Sequence, residues 1–217
     1  MSELSLVKDE HDALWTRIRA TLEAMRPGRR QDREPAYGRA AIARSLGMHT
    51  RLGERIEEAL EHAWGHCAER HVTLSLLLIG IDRFKDLHLV YERGTIEHEL
   101  KAVETTLRKG LPRVGDACLR QGRSNFLVIL PDYPVLLAKT LAGKLVGEVR
   151  GLAIPHKESH AGILTAGVGL AAINPQGGRD RKFFDAAAGA LERAQRRGLG
   201  RIETVDLRPG QQRRKAG

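Results

Sequence analysis

Cysteine is nearly absent, with only Cys67 and Cys118 in 217 residues. That excludes a disulfide-stapled scaffold and points to a reducing compartment. Aromatic residues are few, at 4%. No apolar run approaches the ~20 residues that span a bilayer. The opening Met1-Ser2-Glu3 leads into no signal-peptide core, so the cytoplasm is the expected location and no membrane association is expected. Acidic residues are in deficit, 27 against 36 Lys and Arg, for a formal charge of +9. A nucleic-acid partner is the usual reading of such an excess, but the placement of the charge argues against it. Residues 26–33 carry four Arg and one Asp, and residues 208–217 carry four basic residues and no acid, so +7 of the +9 sits in two short segments. The rest is nearly balanced, as on an ordinary solvated surface.

What remains is 41% hydrophobic, enough at this length for one core and an extension. Residues 4–25 have helical periodicity, with Leu14, Ile18, Leu22 and Met25 on one face, and Pro27-Gly28 ends that helix. A second helix is expected over 39–70, with Leu52, Ile56, Ala59, Leu60 and Ala63 inward. Leu74–Ile81 is a nearly continuous apolar run, the pattern of a strand buried on both faces. A short helix from Phe84 to Tyr91 follows, then Ile96, Leu100, Val103 and Leu107 at helical spacing up to Gly110 and Pro112. Further on come a hairpin, a helix over 135–149, a strand over 163–172, a helix over 181–197 and a strand over 201–205. The order βααββαβαβ predicts an α/β (α+β) sandwich around a mainly antiparallel sheet. The expected organisation is an N-terminal helix and linker over 1–38, a domain over 39–206, and a basic tail over 207–217.

The most informative stretch is Arg113–Leu130. Arg113-Val114-Gly115-Asp116 precedes a strand, Gly122-Arg123-Ser124 forms a turn, and Asn125-Phe126-Leu127-Val128-Ile129-Leu130 returns to Pro131-Asp132. With Leu77-Leu78-Ile79-Gly80-Ile81-Asp82-Arg83-Phe84-Lys85, this layout resembles the GGDEF (diguanylate cyclase) family. In that family the signature turn occupies this hairpin, and an R-x-x-D five residues upstream is an inhibitory cyclic di-GMP site. The resemblance covers residues 50–206, with Leu46–Arg51 as a worn form of the family's lead-in. It implies a nucleotide-cyclase-like fold.

The resemblance also implies a degenerate active site. The family's first Mg²⁺ carboxylate aligns with Gly80, and the second aligns with Ser124. Gly122, Arg123, Ser124 and Asn125 stand where the signature would, and Arg123 brings positive charge beside the metal position. The family's guanine-binding Asn and Asp align with His88 and Glu97, and its phosphate-binding Lys and Arg with Gln195 and Leu199. Asp82 and Lys85 remain. Joining two GTP molecules needs Mg²⁺, a hard ion that asks for carboxylates. The expectation is therefore no enzymatic activity, no cofactor and no catalytic residues.

Arg113 and Asp116 have a chemistry of their own. A guanidinium can fork onto a phosphate and stack on a base, and a carboxylate can accept from the guanine edge. The bland alternative is a surface ion pair worth under ~1 kcal/mol. In the family a further basic residue on the next helix often completes the site, and Lys144 aligns with it. The expected function is a cyclic di-GMP receptor or effector using Arg113, Asp116 and Lys144, which signals to a protein partner. A homodimer through the N-terminal helices is also expected. The alternative is a nucleotide-independent interaction scaffold. His62, His66, Cys67 and His71 form two i,i+4 pairs, but the pairs point about 100° apart, so one helix cannot bring all four to one metal ion.

Overall fold

The structure, a computed structural model, describes residues 52–209, with side chains from Arg55 onward. The expected helix over 4–25 and its dimer face, the linker, the start of the 39–70 helix and most of the basic tail lie outside the described residues. The elements are α1 (Leu52–Arg70), β1 (Leu74–Ile81), α2 (Phe84–Val90), α3 (Arg93–Lys109), β2 (Ala117–Gln121), β3 (Asn125–Pro131), α4 (Val135–Gly151), β4 (Ala166–Ile173), α5 (Lys182–Arg197) and β5 (Ile202–Asp206). Over this span the order is the one the periodicities predict. No helix among the described residues is long and apolar enough to cross a membrane.

The sheet runs β2-β3-β1-β4-β5, antiparallel except for the β4–β5 pair. All eight residues of β1 are buried because helices cover both faces. Leu77, Ile79 and Ile81 face α2, α3 and α4, whereas Leu74, Leu76 and Leu78 face α1 and α5. This is the period-two consequence of a pleated strand. Burying each such leucine or isoleucine stabilises the fold by roughly 1.5–3 kcal/mol. On α1, Ile56, Ala59, Leu60, Ala63, Trp64 and Cys67 fall at spacings of three and four and pack on the sheet. Trp64 also donates to Gly177 O at 2.9 Å. The helix stops at His71, which takes the left-handed conformation (φ 54) while Val72 N bonds back to Cys67 O at 3.1 Å.

Helix α5 crosses β4 closely enough that a Cβ on Gly169 would collide with Ala187 O and Leu191 N. That contact fixes the helix against the sheet. Strand β4 begins at Ala166, three residues later than periodicity suggests. Ile163 is instead bridged to Pro155 within the preceding loop.

Candidate functional site

The sheet register brings the resembled catalytic positions together. Gly80, near the end of β1, lies between Asn125 on β3 and Gly167 on β4. The turn that carries Arg123 and Ser124 is closed by Gly122 (φ 64) and held to β1 by Ile81 N donating to Ser124 O at 3.0 Å. A Cβ on Gly80 would meet Gln195 Nε2 at 2.9 Å, Asn125 Oδ1 at 3.0 Å and Leu191 Cδ2 at 3.0 Å. Two neutral amides and a methyl therefore crowd the Cβ position at residue 80, and the Gln195 side chain would have to swing aside to admit a side chain there. Ser124 Oγ donates to Asn125 Oδ1 at 3.3 Å.

Asp82 is buried one strand step further on. Its Oδ2 accepts from Thr165 Oγ1 and from Gly200 N, each at 2.8 Å, and its backbone N donates to Thr165 O at 3.0 Å. Asp82 thus ties β1 to β4 and to the α5–β5 turn. Burial raises its carboxyl above the ordinary value, opposed by those hydrogen bonds. Its Oδ1 is buried without a hydrogen-bond partner. Proteins hold Mg²⁺ with one or two carboxylates beside waters and substrate phosphates, and here Gly80 and Ser124 offer no carboxylate while Asp82 Oδ2 is taken by Thr165 and Gly200. The residues at this edge do not fit a Mg²⁺ site. Among the described residues no group of three or more His, Cys, Asp or Glu is placed to hold a metal ion, the His62–His71 stretch included.

Neighbouring positions are committed elsewhere. Glu97 receives a two-pronged grip from Arg120, at 2.7 and 2.9 Å, and that hydrogen bonding holds its carboxyl below the usual range. Arg120 also donates to Arg123 O at 3.1 Å, bracing the turn. His88 is exposed and packs edge-on against Phe84, ring centroids 5.1 Å apart.

Arg113 and Asp116 form a closed unit. Arg113 Nη2 reaches Asp116 Oδ1 at 2.6 Å and Nε reaches it at 3.1 Å, while the Arg113 backbone N donates to Oδ2 at 3.2 Å. Asp116 N returns a bond to Arg113 O at 3.1 Å, completing the turn. Nη2 also donates to Pro131 O at 2.7 Å and Nη1 to Asp132 O at 3.1 Å, and the guanidinium carbon lies 4.6 Å from the centre of the Tyr133 ring. These bonds use four of the five N–H donors of a guanidinium. The Asp116 side chain is fully buried and that of Arg113 is 30% exposed. The pair is thus a clamp between the α3–β2 loop and the end of β3. A guanine edge reaches Asp116 only if the clamp opens.

Outside the clamp lies an open basin of about 270 Å³, lined by Arg55, Arg108, Leu111, Arg113, Asp116, Cys118 and Leu119. Arg108 is paired with Glu104 at 2.7 Å. Burial pushes the Cys118 thiol up to about 12, so it stays protonated at its edge of the basin. Lys144 is not in the wall of the basin. It is exposed on α4, 3.5 Å from Glu148. Sequence reasoning overlooked Arg55 and Arg108. Arg108, five residues before Arg113 in the last turn of α3, was within reach of a local search, but Arg55 is brought in only by the packing of α1.

A family model described as "Diguanylate cyclase, GGDEF domain" matches residues 50–201. Diguanylate cyclase DgcM of Escherichia coli K12 is 30% identical over 69% of this chain and 40% of its own length. The chain therefore spans about 40% of the length of the curated relatives it matches. Among solved structures, the coiled coil and GGDEF domain of DgcB from Caulobacter crescentus in complex with c-di-GMP aligns at TM-score 0.64 and 18% identity, covering 94% of this chain and 100% of that one. The diguanylate cyclase SiaD in complex with its activator SiaC from Pseudomonas aeruginosa aligns at TM-score 0.65 and 20% identity, covering 93% and 76%. Identities this low establish likeness of fold, which here is a five-stranded sheet in the order β2-β3-β1-β4-β5 between two helical layers. With the family model matched over most of the described residues, the chain belongs to the GGDEF family.

Proposed function

We propose that this GGDEF domain binds cyclic di-GMP at Arg113 and Asp116 without synthesising it, acting as a receptor that reports the messenger to a protein partner. The observation that carries the first half is the packing around Gly80. Position 80, where the family has a metal-binding aspartate, is a glycine, and the Gln195 and Asn125 amides crowd its Cβ position. The curated relatives are named diguanylate cyclases, and the departure from them rests on those particular side chains. DgcB supplies the precedent of a GGDEF domain in complex with c-di-GMP.

Support for the second half comes from Arg113, whose guanidinium is held in one orientation at the rim of an arginine-lined basin. Pre-orientation lowers the entropy lost on binding. The one unused N–H can meet a phosphate oxygen, while Asp116 holds the fork in place or, with the clamp open, accepts from guanine. The saturation of Arg113 and the burial of Asp116 also favour a second reading, in which the clamp is purely structural and the domain is a nucleotide-independent scaffold.

Calorimetry with cyclic di-GMP on the wild type, Arg113→Ala and Ser124→Ala separates the two. Loss of one charge-assisted contact of roughly 1.5–3 kcal/mol weakens binding by about 10- to 150-fold in Arg113→Ala, with Ser124→Ala unchanged. No binding in any of the three supports the scaffold, and equal affinities in all three move the ligand elsewhere.

A further inference from the structure

Arg55 lines the basin from α1 and has no ion pair or side-chain hydrogen bond among the described residues. Every other charged side chain in that wall has a counter-ion, Arg108 with Glu104 and Arg113 with Asp116. Three guanidiniums face one lining carboxylate, and that carboxylate is already engaged. The basin therefore has a surplus of positive charge, and Arg55 is its uncommitted fork. A volume of about 270 Å³ is small beside the ~300–1,000 Å³ of pockets that swallow a whole ligand. It suits one phosphate and one base, with the rest of a larger ligand outside.

Resting on the receptor reading above, we infer that Arg55 and Arg108, not Lys144, complete the ligand site, and that the bound phosphate links α1 to the α3–β2 loop. Arg55 lies in the first described turn of α1, which follows residues 1–51 in the chain. Arg113 is fixed to the end of β3 through Pro131 O and Asp132 O. A phosphate held between these two guanidiniums restrains α1 around Arg55 against the sheet. The ordering of α1 is then the signal that leaves the domain. Arginine suits this role because its planar fork meets two phosphate oxygens at once, which an ammonium cannot.

The test is a cyclic di-GMP titration of the full chain as wild type, Arg55→Ala, Arg55→Lys, Arg108→Ala, Lys144→Ala and Arg113→Ala, with amide hydrogen exchange of α1 with and without the nucleotide. Arg55→Ala and Arg108→Ala each weaken binding by about tenfold or more, Arg55→Lys recovers little, and Lys144→Ala changes affinity by less than about threefold. Exchange in residues 55–60 slows on binding in the wild type and not in Arg55→Ala. Wild-type affinity in Arg55→Ala and Arg108→Ala, with binding lost in Arg113→Ala, overturns this inference and leaves the receptor reading intact. A wild type that does not bind overturns the receptor reading and this inference with it.

Discussion

Removing either half of the Arg113–Asp116 clamp has unequal consequences that the geometry sets in advance. In Arg113→Ala the Asp116 carboxylate stays fully buried and keeps one of its donors, the backbone N at 3.2 Å. An uncompensated buried charge typically costs about 3–5 kcal/mol. In Asp116→Ala the guanidinium still has Pro131 O, Asp132 O and the Tyr133 face, and its partial exposure lets water replace the carboxylate. A cost of about 1–3 kcal/mol is expected there. The double variant leaves no stranded charge, so its loss should fall short of the sum by about 1.5–3 kcal/mol. An exposed pair would show a coupling below ~1 kcal/mol. Urea unfolding of the four proteins, followed by circular dichroism, gives the cycle. Single losses that add to within about 0.5 kcal/mol, each small, would mean that the clamp does not form in solution.

Other consequences follow from the packing and from Asp82. Gly169→Ala places a methyl against the α5 backbone, where no side-chain rotation can relieve it, and should cost 3 kcal/mol or more, at or beyond the top of the usual ~1–3 kcal/mol overpacking range. A melting temperature within a degree or two of wild type would contradict that close approach. Asp82 has a folded-state value raised above 3.8, so its titration favours the fold at low pH, and that contribution fades as pH rises through the raised value. Asp82→Asn lacks this term, so its stability relative to wild type should improve as pH climbs from about 3.8 into the neutral range. A difference that stays flat or reverses across paired unfolding curves at pH 4 and pH 7 would show that the carboxyl is not held up by burial.

Much of the architecture is legible in the sequence because burial leaves a periodic trace. The nearly continuous apolar run Leu74–Ile81 has the mark of a strand covered on both faces, and it is one. Ile96, Leu100, Val103 and Leu107 announce the inward stripe of α3, and all four are buried. The start of β4 was misplaced because Ile163 is as apolar as a strand residue but spends its pairing on Pro155. The site was legible only as residue types. Arg113 and Asp116 could be singled out. Their closure on each other depends on the carbonyls of Pro131 and Asp132, 18 and 19 residues away, which no local pattern encodes. The crowding of Gly80 by Gln195 likewise arises from the close crossing of α5 over the sheet, 115 positions further along the chain. Arg55 joins the basin for the same kind of reason, through the docking of α1 against β2 and β3.

The measurement that bears most directly on the central claim is GTP turnover by the purified full chain, with Mg²⁺ or Mn²⁺ and the products separated by chromatography. With amides beside Gly80, Ser124 in the turn and Asp82 Oδ2 engaged by Thr165 and Gly200, no cyclic di-GMP should form. Product that accumulates with time and disappears in Asp82→Ala or Lys85→Ala would show that other groups had replaced the missing carboxylates, and would contradict the account.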